Sequence, residues 1–428
     1  MNEKAAGRVK PDPYIALRFP EFRSYIGMRF FFTFAYQMQA IIIGYHIYEL
    51  TRDPLALGLV GLCEAIPSIG ISLYGGYVAD KSDKRKLLLG IFSAMFLFSF
   101  VLFLVTLEPV QSLMPESRVL PVMYMMIFGI GIARGFYSPA AFSLMAMIIP
   151  KEHYPNSSTW NSSSWQAATI LGPATGGLIY GFFGVSWTFA TILVFILVAL
   201  YCVSILKPHP PVYVPRENIF VSLSQGVRFV FGNRMMLGAM TLDLFSVFFG
   251  GAVALLPVFA NDILRVGSEG LGLMRAATAS GAVLTMFAMT RFSPMGKPWR
   301  NLLIAVAGFG ISIFCFGLST NFYLSLFFLF CEGAFDSISV IIRSTIMQLL
   351  TPDEMRGRVS SVNSMFIGSS NEIGAFESGL AARLLGTVPA VLFGSTMTLL
   401  VVTATWLKTK KLVPLGLHEI NRKPEEPR

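Results

Sequence analysis

Residues 54–107 read PLALGLVGLCEAIPSIGISLYGGYVADKSDKRKLLLGIFSAMFLFSFVLFLVTL. Two apolar runs, 54–79 and 87–107, flank a charged segment at 80–86. Each run reaches the length of about 20 residues that a helix needs to cross a bilayer. Neither alternates polar and apolar residues, as a strand of a membrane barrel would. The stretch therefore predicts a helical hairpin in lipid, with its charges gathered in the connecting loop.

The pattern recurs along the whole chain of 428 residues. Hydrophobic residues make up 54% and charged residues only 13%, with a mean hydropathy of +0.63. A soluble domain carries nearer 25% charge, so that class is excluded. Apolar runs fall at 25–50, 54–79, 87–107, 119–149, 158–183 and 185–206, and again at 235–261, 268–291, 301–319, 321–350, 359–385 and 387–407. The fold class expected is an all-α membrane protein with twelve transmembrane helices. Residues 1–24 are polar, so no cleavable signal is expected and the first span should be an anchor.

The net charge of +9 marks topology and not nucleic-acid binding. With the N-terminus inside, twenty-five Lys and Arg fall in loops and tails of the cytoplasmic side, against Arg52, Arg118 and Arg265 outside. Both termini are therefore expected in the cytoplasm of a bacterial inner membrane. The cysteines Cys63, Cys202, Cys315 and Cys331 lie in apolar stretches without CxxC spacing, which predicts no metal or redox site.

The segment 207–234 divides the chain. Pro208, Pro210, Pro211 and Pro215 predict an extended linker, and Ile219, Phe220, Leu223, Val227, Val230 and Phe231 a short amphipathic helix on the membrane surface. This gives a tail (1–24), a six-helix half (25–206), the linker (207–234), a second half (235–407) and a tail (408–428). A shift of 202 residues aligns Gly131 with Gly333, Pro150 with Pro352, Asn161 with Asn363, Gly172 with Gly374 and Gly177 with Gly379. Two parallel six-helix repeats around a central cavity suit alternating access.

The hairpin loop, Gly76-Tyr77-Val78-Ala79-Asp80-Lys81-Ser82-Asp83-Lys84-Arg85-Lys86, resembles the signature loop of the major facilitator superfamily. Asp83 stands where that family commonly has a mid-loop glycine. Gly76 is expected to permit close helix approach, and Asp80 to face the positive N-terminus of a neighbouring helix. The resemblance implies a conformational latch built from these two residues with Lys81, Asp83, Arg85 and Lys86. Span five holds Gly172-Pro173-Ala174-Thr175-Gly176-Gly177, similar to the core of the superfamily's antiporter motif, with Thr159 and Ala168 at its upstream glycine positions. Its small faces are expected to pack on Gly272, Ala276 and Ser280 of span eight.

Longer stretches, including YELTRDPLALGLVG (48–61), LLPVFANDIL (255–264) and the run 351–382, resemble the drug:proton antiporter branch that holds macrolide-efflux pumps and the enterobactin (siderophore) exporter. The resemblance covers residues 15–410. It implies export of an amphipathic drug or siderophore in exchange for protons. The partners expected are a small-molecule substrate, protons and the lipid bilayer, for a chain acting as a monomer.

Charges inside the spans are costly, about 2.5–3.5 kcal/mol each on insertion scales, so they mark function. Glu64, Asp243, Glu332, Asp336, Glu372 and Glu377 are the proton-coupling candidates, and Arg29, Arg134 and Arg343 the cavity cations. Near-balanced signs suggest pairing, and Asp336 and Arg343 share one helical face. The histidines lie at or beyond span ends, which argues against a histidine relay. No HExxH, GxSxG or GxxxxGK[ST] motif occurs, so neither hydrolytic chemistry nor ATP binding is expected. The energy source should be the proton gradient, with no cofactor. An importer or lysolipid flippase of the same fold is the alternative.

Overall fold

The structure, a computed structural model, describes residues 14–107, 109–110, 116–150, 153–209, 219–292, 294–352, 355–410 and 412–414. Helix α1 (Pro20–Thr51) is followed by α2 (Pro54–Lys81), α3 (Lys84–Val105), α4 (Glu116–Ile148) and α5 (Tyr154–Ser204). After the linker come α6 (Ile219–Gly232), α7 (Arg234–Phe249), α8 (Ala252–Val258), a π turn (Phe259–Ile263), α9 (Gly267–Arg291), α10 (Pro298–Leu318), α11 (Phe322–Leu350), α12 (Arg356–Leu385) and α13 (Thr387–Lys408).

Turn chemistry explains the tight returns. Arg52 ends α1 in the left-handed region at φ 53°, and Asp53 then caps α2 by accepting from the Leu55 amide at 3.0 Å. Asp83, Asn233 and Asn321 cap α3, α7 and α11 in the same way.

Ten helical stretches among the described residues are long and apolar enough to cross a membrane. One of them, Trp160–Ser204, lies within the 51-residue α5, about twice the length one crossing needs. It breaks at Gly184 (φ 84°, ψ 176°), the residue between the expected fifth and sixth spans. Helix α12 has the length but carries too many polar residues to stand as an apolar span by itself; it packs among the others. The order of segments follows that of the twelve expected spans.

Span seven departs from expectation, because its helix stops at Phe249 and restarts at Ala252. The intervening glycines permit contacts that a side chain would block. A Cβ on Gly250 would meet the Phe309 ring at 2.7 Å, and one on Gly251 the Ser378 hydroxyl at 1.9 Å. Pro257 further weakens the helix, and the following π turn redirects Asn261 and Asp262.

The linker helix also differs from a simple surface helix. Val230 of α6 is fully buried against Met236, Met240, Val359 and Val362, so α6 docks on the first turns of α7 and α12. Val227 and Phe231, one turn apart, face outward and remain exposed. The preceding residues 210–218 and the distal parts of both tails, 1–13 and 415–428, lie outside the described residues.

The repeat is visible in the packing. Gly177 on α5 meets Gly272 on α9, where a Cβ would lie 2.7 Å from the neighbour's Cα. At the position 202 residues later, Gly379 on α12 meets Gly58 on α2 at 3.1 Å. These two equivalent crossings join the halves.

They lie toward the end of the bundle distant from both termini, called here the distal end. One apolar cluster runs through the first half and crosses at that end into Leu255, Phe259, Met274, Phe316 and Ala382. At the terminal end the second half forms two separate clusters, around Trp299 and around Val230.

Candidate functional site

Glycines bring the central charges together. On α4, a Cβ at Gly131 would strike the Glu64 carbonyl at 2.4 Å, and one at Gly135 the Ser68 carbonyl at 2.9 Å. Helices α2 and α4 therefore touch backbone to backbone on either side of Arg134. On the other face of α2, a Cβ at Gly61 would lie 3.1 Å from the Glu372 carbonyl of α12. Helix α2 is thus sandwiched between α4 of its own half and α12 of the other.

At this crossing Arg134 Nη1 donates to Glu64 Oε1 at 2.7 Å and to Glu372 Oε1 at 2.8 Å. Tyr36 of α1 donates its hydroxyl to the same Glu64 oxygen, and the guanidinium stacks 4.9 Å above the Tyr36 ring. One cation holds two carboxylates, one from each half. The Glu64 side chain is 9% exposed and that of Glu372 18%. In such surroundings an unpaired charge would be expensive, so each member constrains the others.

A second group lies within the C-terminal half. Arg343 of α11 forms an ion pair with Asp243 of α7, both nearly buried. The carboxylate bonded to Arg343 comes from α7, and Asp336, seven residues back on the same helix, lies within electrostatic range of both Arg343 and Asp243. The 202-residue shift pairs Asp336 with Arg134, so the repeat places an acid where its partner half has a cation. One turn earlier, buried Glu332 faces Arg275 and Thr278 of α9, and its Oε2 has no hydrogen-bond partner. Arg275 Nη2 meanwhile donates to the Val253 carbonyl at 3.0 Å.

Two candidates lie apart from these groups. Glu377 has the adjacent Ser378 hydroxyl at 3.5 Å and joins neither ion pair. Arg29 sits beside Tyr25 and Tyr137 in the first half.

Small residues of span five divide their work. Gly177 meets Gly272, and a Cβ on Gly181 would lie 2.7 Å from the Glu269 Cα, which joins α5 to α9. Gly172 and Gly176 turn the other way, toward the Phe34 carbonyl and Met38 of α1. Only one of the two small faces therefore reaches span eight. Pro173 lies inside α5 between them.

The hairpin loop differs from expectation in detail. A Cβ on Gly76 would meet open space, whereas one on Gly75 would strike the Gly135 carbonyl at 2.6 Å. One residue is about 100° of helical rotation, and it is Gly75 that faces α4. Asp83 serves as a helix cap, accepting from the Lys86 amide at 3.0 Å. Arg85 donates to the Ser204 carbonyl at the end of α5, and Lys81 lies over the Tyr77 ring at 4.2 Å. The Asp80 side chain, the centre of the expected latch, lies outside the described residues.

A further group at the distal end escaped the sequence. Tyr45 donates to Asn261 at 2.9 Å, Tyr48 donates to Asp262, and Arg52 pairs with Asp262 at 3.4 Å. Arg383 pairs with Asp53 at 3.1 Å. Each contact links the two halves. Beside them Tyr180 donates to Glu49, with His46 3.9 Å from that carboxylate. His46 is only 7% exposed, so it is part of the packed helix and not of a loop. The signal available was the density of Tyr, Asn and Asp in 45–53 and 261–262, but nothing in sequence spacing pairs residues more than 200 positions apart.

A family model described as transmembrane secretion effector matches residues 13–423. The chain is 23% identical to a protein named enterobactin exporter EntS from Shigella boydii, over 85% of this chain and 86% of that protein. It is 22% identical to the protein of the same name from Escherichia coli O81, over the same shares. Among solved structures, a bacterial homologue of the human lysosomal transporter Spinster, inward-facing and unoccupied, superposes with a TM-score of 0.66 at 14% identity, covering 95% of this chain and 99% of that one. A D-xylose-proton symporter gives 0.68 at 15% identity, covering 93% and 100%. The chain is a multi-pass membrane protein of the major facilitator superfamily and belongs to its transmembrane secretion effector family.

Proposed function

We propose that this protein is a secondary active exporter of an amphipathic organic molecule, a drug or a siderophore, driven by protons entering the cell. The observation that carries the proposal is Arg134 held between Glu64 of one half and Glu372 of the other. With both carboxylates ionised the cluster carries one negative charge more than its cation balances. A proton or a cationic group of the substrate restores the balance, and either weakens the bond that ties the halves together. The exporter reading draws on the relatives named enterobactin exporter, which suggest a siderophore-sized substrate.

Among the described residues, the apolar cluster joins the halves at the distal end, with separate clusters at the terminal end; with both termini in the cytoplasm, as the distribution of Lys and Arg suggests, this supports an inward-facing state. In this reading Asp243–Arg343 holds the second half together while the bridge at Arg134 opens and closes. The latch around Asp80 biases the two states. One proton driven by 100 mV supplies about 2.3 kcal/mol, and each pH unit about 1.4.

The test uses inside-out vesicles loaded with the full chain. An imposed proton gradient, acidic inside, should drive uptake of a catecholate siderophore or a macrolide. Glu372→Gln should abolish the response to the gradient and retain exchange of substrate without one. Gradient-independent uptake by the unaltered protein would refute proton coupling.

A further inference from the structure

We propose that the terminal end of the second half carries a binding site for an anionic phospholipid, set between α9, α10 and α11. An open apolar groove of about 200 Å³ lies there, lined chiefly by Met289, Phe292, Ile304, Phe335 and Ile338, with Asn301 as its polar member. Its base is fixed by close packing, because the Phe335 ring occupies the space beside Gly308, 2.7 Å from where a Cβ would stand. Its rim is open, since Phe292 is 70% and Ile304 56% exposed. A groove of this kind suits an acyl chain.

The rim also carries charge. Arg291 adjoins Phe292, Lys297 follows the Pro294–Gly296 turn, and Arg300 adjoins Asn301. All three are exposed, and no acidic side chain of the described residues lies within ion-pair distance of any of them. Asn301 is held in place by its own bond to the Pro294 carbonyl, at 2.7 Å, which fixes the loop that presents the cations. An apolar slot whose lining residues have three exposed cations as close sequence neighbours, at the end of a membrane bundle, matches the chemistry of a lipid with an anionic headgroup. The proposal rests on the membrane-spanning fold and is independent of substrate and proton coupling. Because α9 and α11 carry Arg275 and Glu332, a bound lipid would brace the helices that bring these two charges within electrostatic range.

The test is lipid retention by the purified full chain in native mass spectrometry, with thermal unfolding as a second readout. Phosphatidylglycerol should be retained in preference to phosphatidylcholine of the same acyl chains. The variant Arg291→Gln/Lys297→Gln/Arg300→Gln should lose about a hundredfold of that preference, since each basic group near an anionic surface contributes roughly fivefold. Should the triple variant not fold, the three single variants should each lose about fivefold. Phe292→Ser should weaken retention of both lipids, and Lys408→Gln/Lys410→Gln, with cations elsewhere on the same end, should leave the preference intact. Equal retention of the two lipids, an unchanged preference in the charge variants, or an equal loss in the Lys408/Lys410 control would overturn the site. Stabilisation by glycerol 3-phosphate alone would reject the lipid in favour of a soluble anion.

Discussion

Removing one partner of a buried ion pair costs more than the pair contributes, because the other charge is left without water or a counterion. Arg134→Gln leaves Glu64 and Glu372 facing each other and should destabilise the protein by about 3 kcal/mol, the lower end for such a site because the arginine is about a third exposed. A lower thermal midpoint in detergent measures this, and adding Glu64→Gln should restore most of it. If Arg134→Gln alone unfolds like the parent, the bridge does not join the halves energetically. The sequence made Arg134, Glu64 and Glu372 visible, since a charge in an apolar run needs a reason. It did not reveal their partners. Helical spacing placed Asp336 on the face of Arg343, but the bonded acid is Asp243, some 100 residues earlier, because α7 closes on α11. Periodicity reports neighbours within an element; contact between elements depends on which backbones approach, and at Arg134 glycines on α2 and α4 decide that.

Among the helices, neighbouring glycines make different demands. A side chain on Gly177 must displace the Gly272 backbone 2.7 Å away, whereas one on Gly176 meets Met38 atoms at 3.3 Å. Backbone cannot rotate aside, so Gly177→Ala should lower membrane abundance and transport more than Gly176→Ala does. The reverse order would mean that the α5–α9 contact is not tight in the membrane. The linker helix offers a second comparison. Val230 is fully buried and Val227 is 40% exposed, so Val230→Asp should detach α6 from α7 and α12. Limited proteolysis should then cleave the linker faster in Val230→Asp than in Val227→Asp; equal rates would mean that α6 is held by the membrane alone. Its amphipathic pattern was legible, but the pattern could not distinguish a lipid surface from a protein one. The GPxxGG stretch announced close packing, yet a one-residue change in helix face sends Gly176 to α1 and Gly177 to α9.

For the molecule as a whole, alternating access needs two states of similar free energy, so contacts made in only one state set the balance. The all-helical membrane class could be read from hydropathy, because lipid imposes it on every segment. The distal contacts could not, since Tyr48 and Asp262 meet only when two halves of the chain close together. Among the described residues, the polar contacts between the halves other than the Arg134 bridge lie at this end, which makes them the lock of this state. Each hydrogen bond of this kind contributes about 1 kcal/mol net. Tyr48→Phe with Arg383→Gln removes the bond to Asp262 and the solvent-exposed pair with Asp53, which together should shift the equilibrium about tenfold toward the distally open state. Ala260 lies in the π turn beside this lock and is fully buried. In a background with the four native cysteines replaced by serine, Ala260→Cys should therefore react slowly with an impermeant maleimide added at the distal face, and measurably faster in the double variant. Conversely, bridging Asp53→Cys and Arg383→Cys with a flexible bifunctional maleimide should stop transport. An unchanged labelling rate together with a cross-linked protein that still transports would show that these contacts persist in both states, and the lock would have to lie elsewhere along the α2–α12 and α5–α9 crossings.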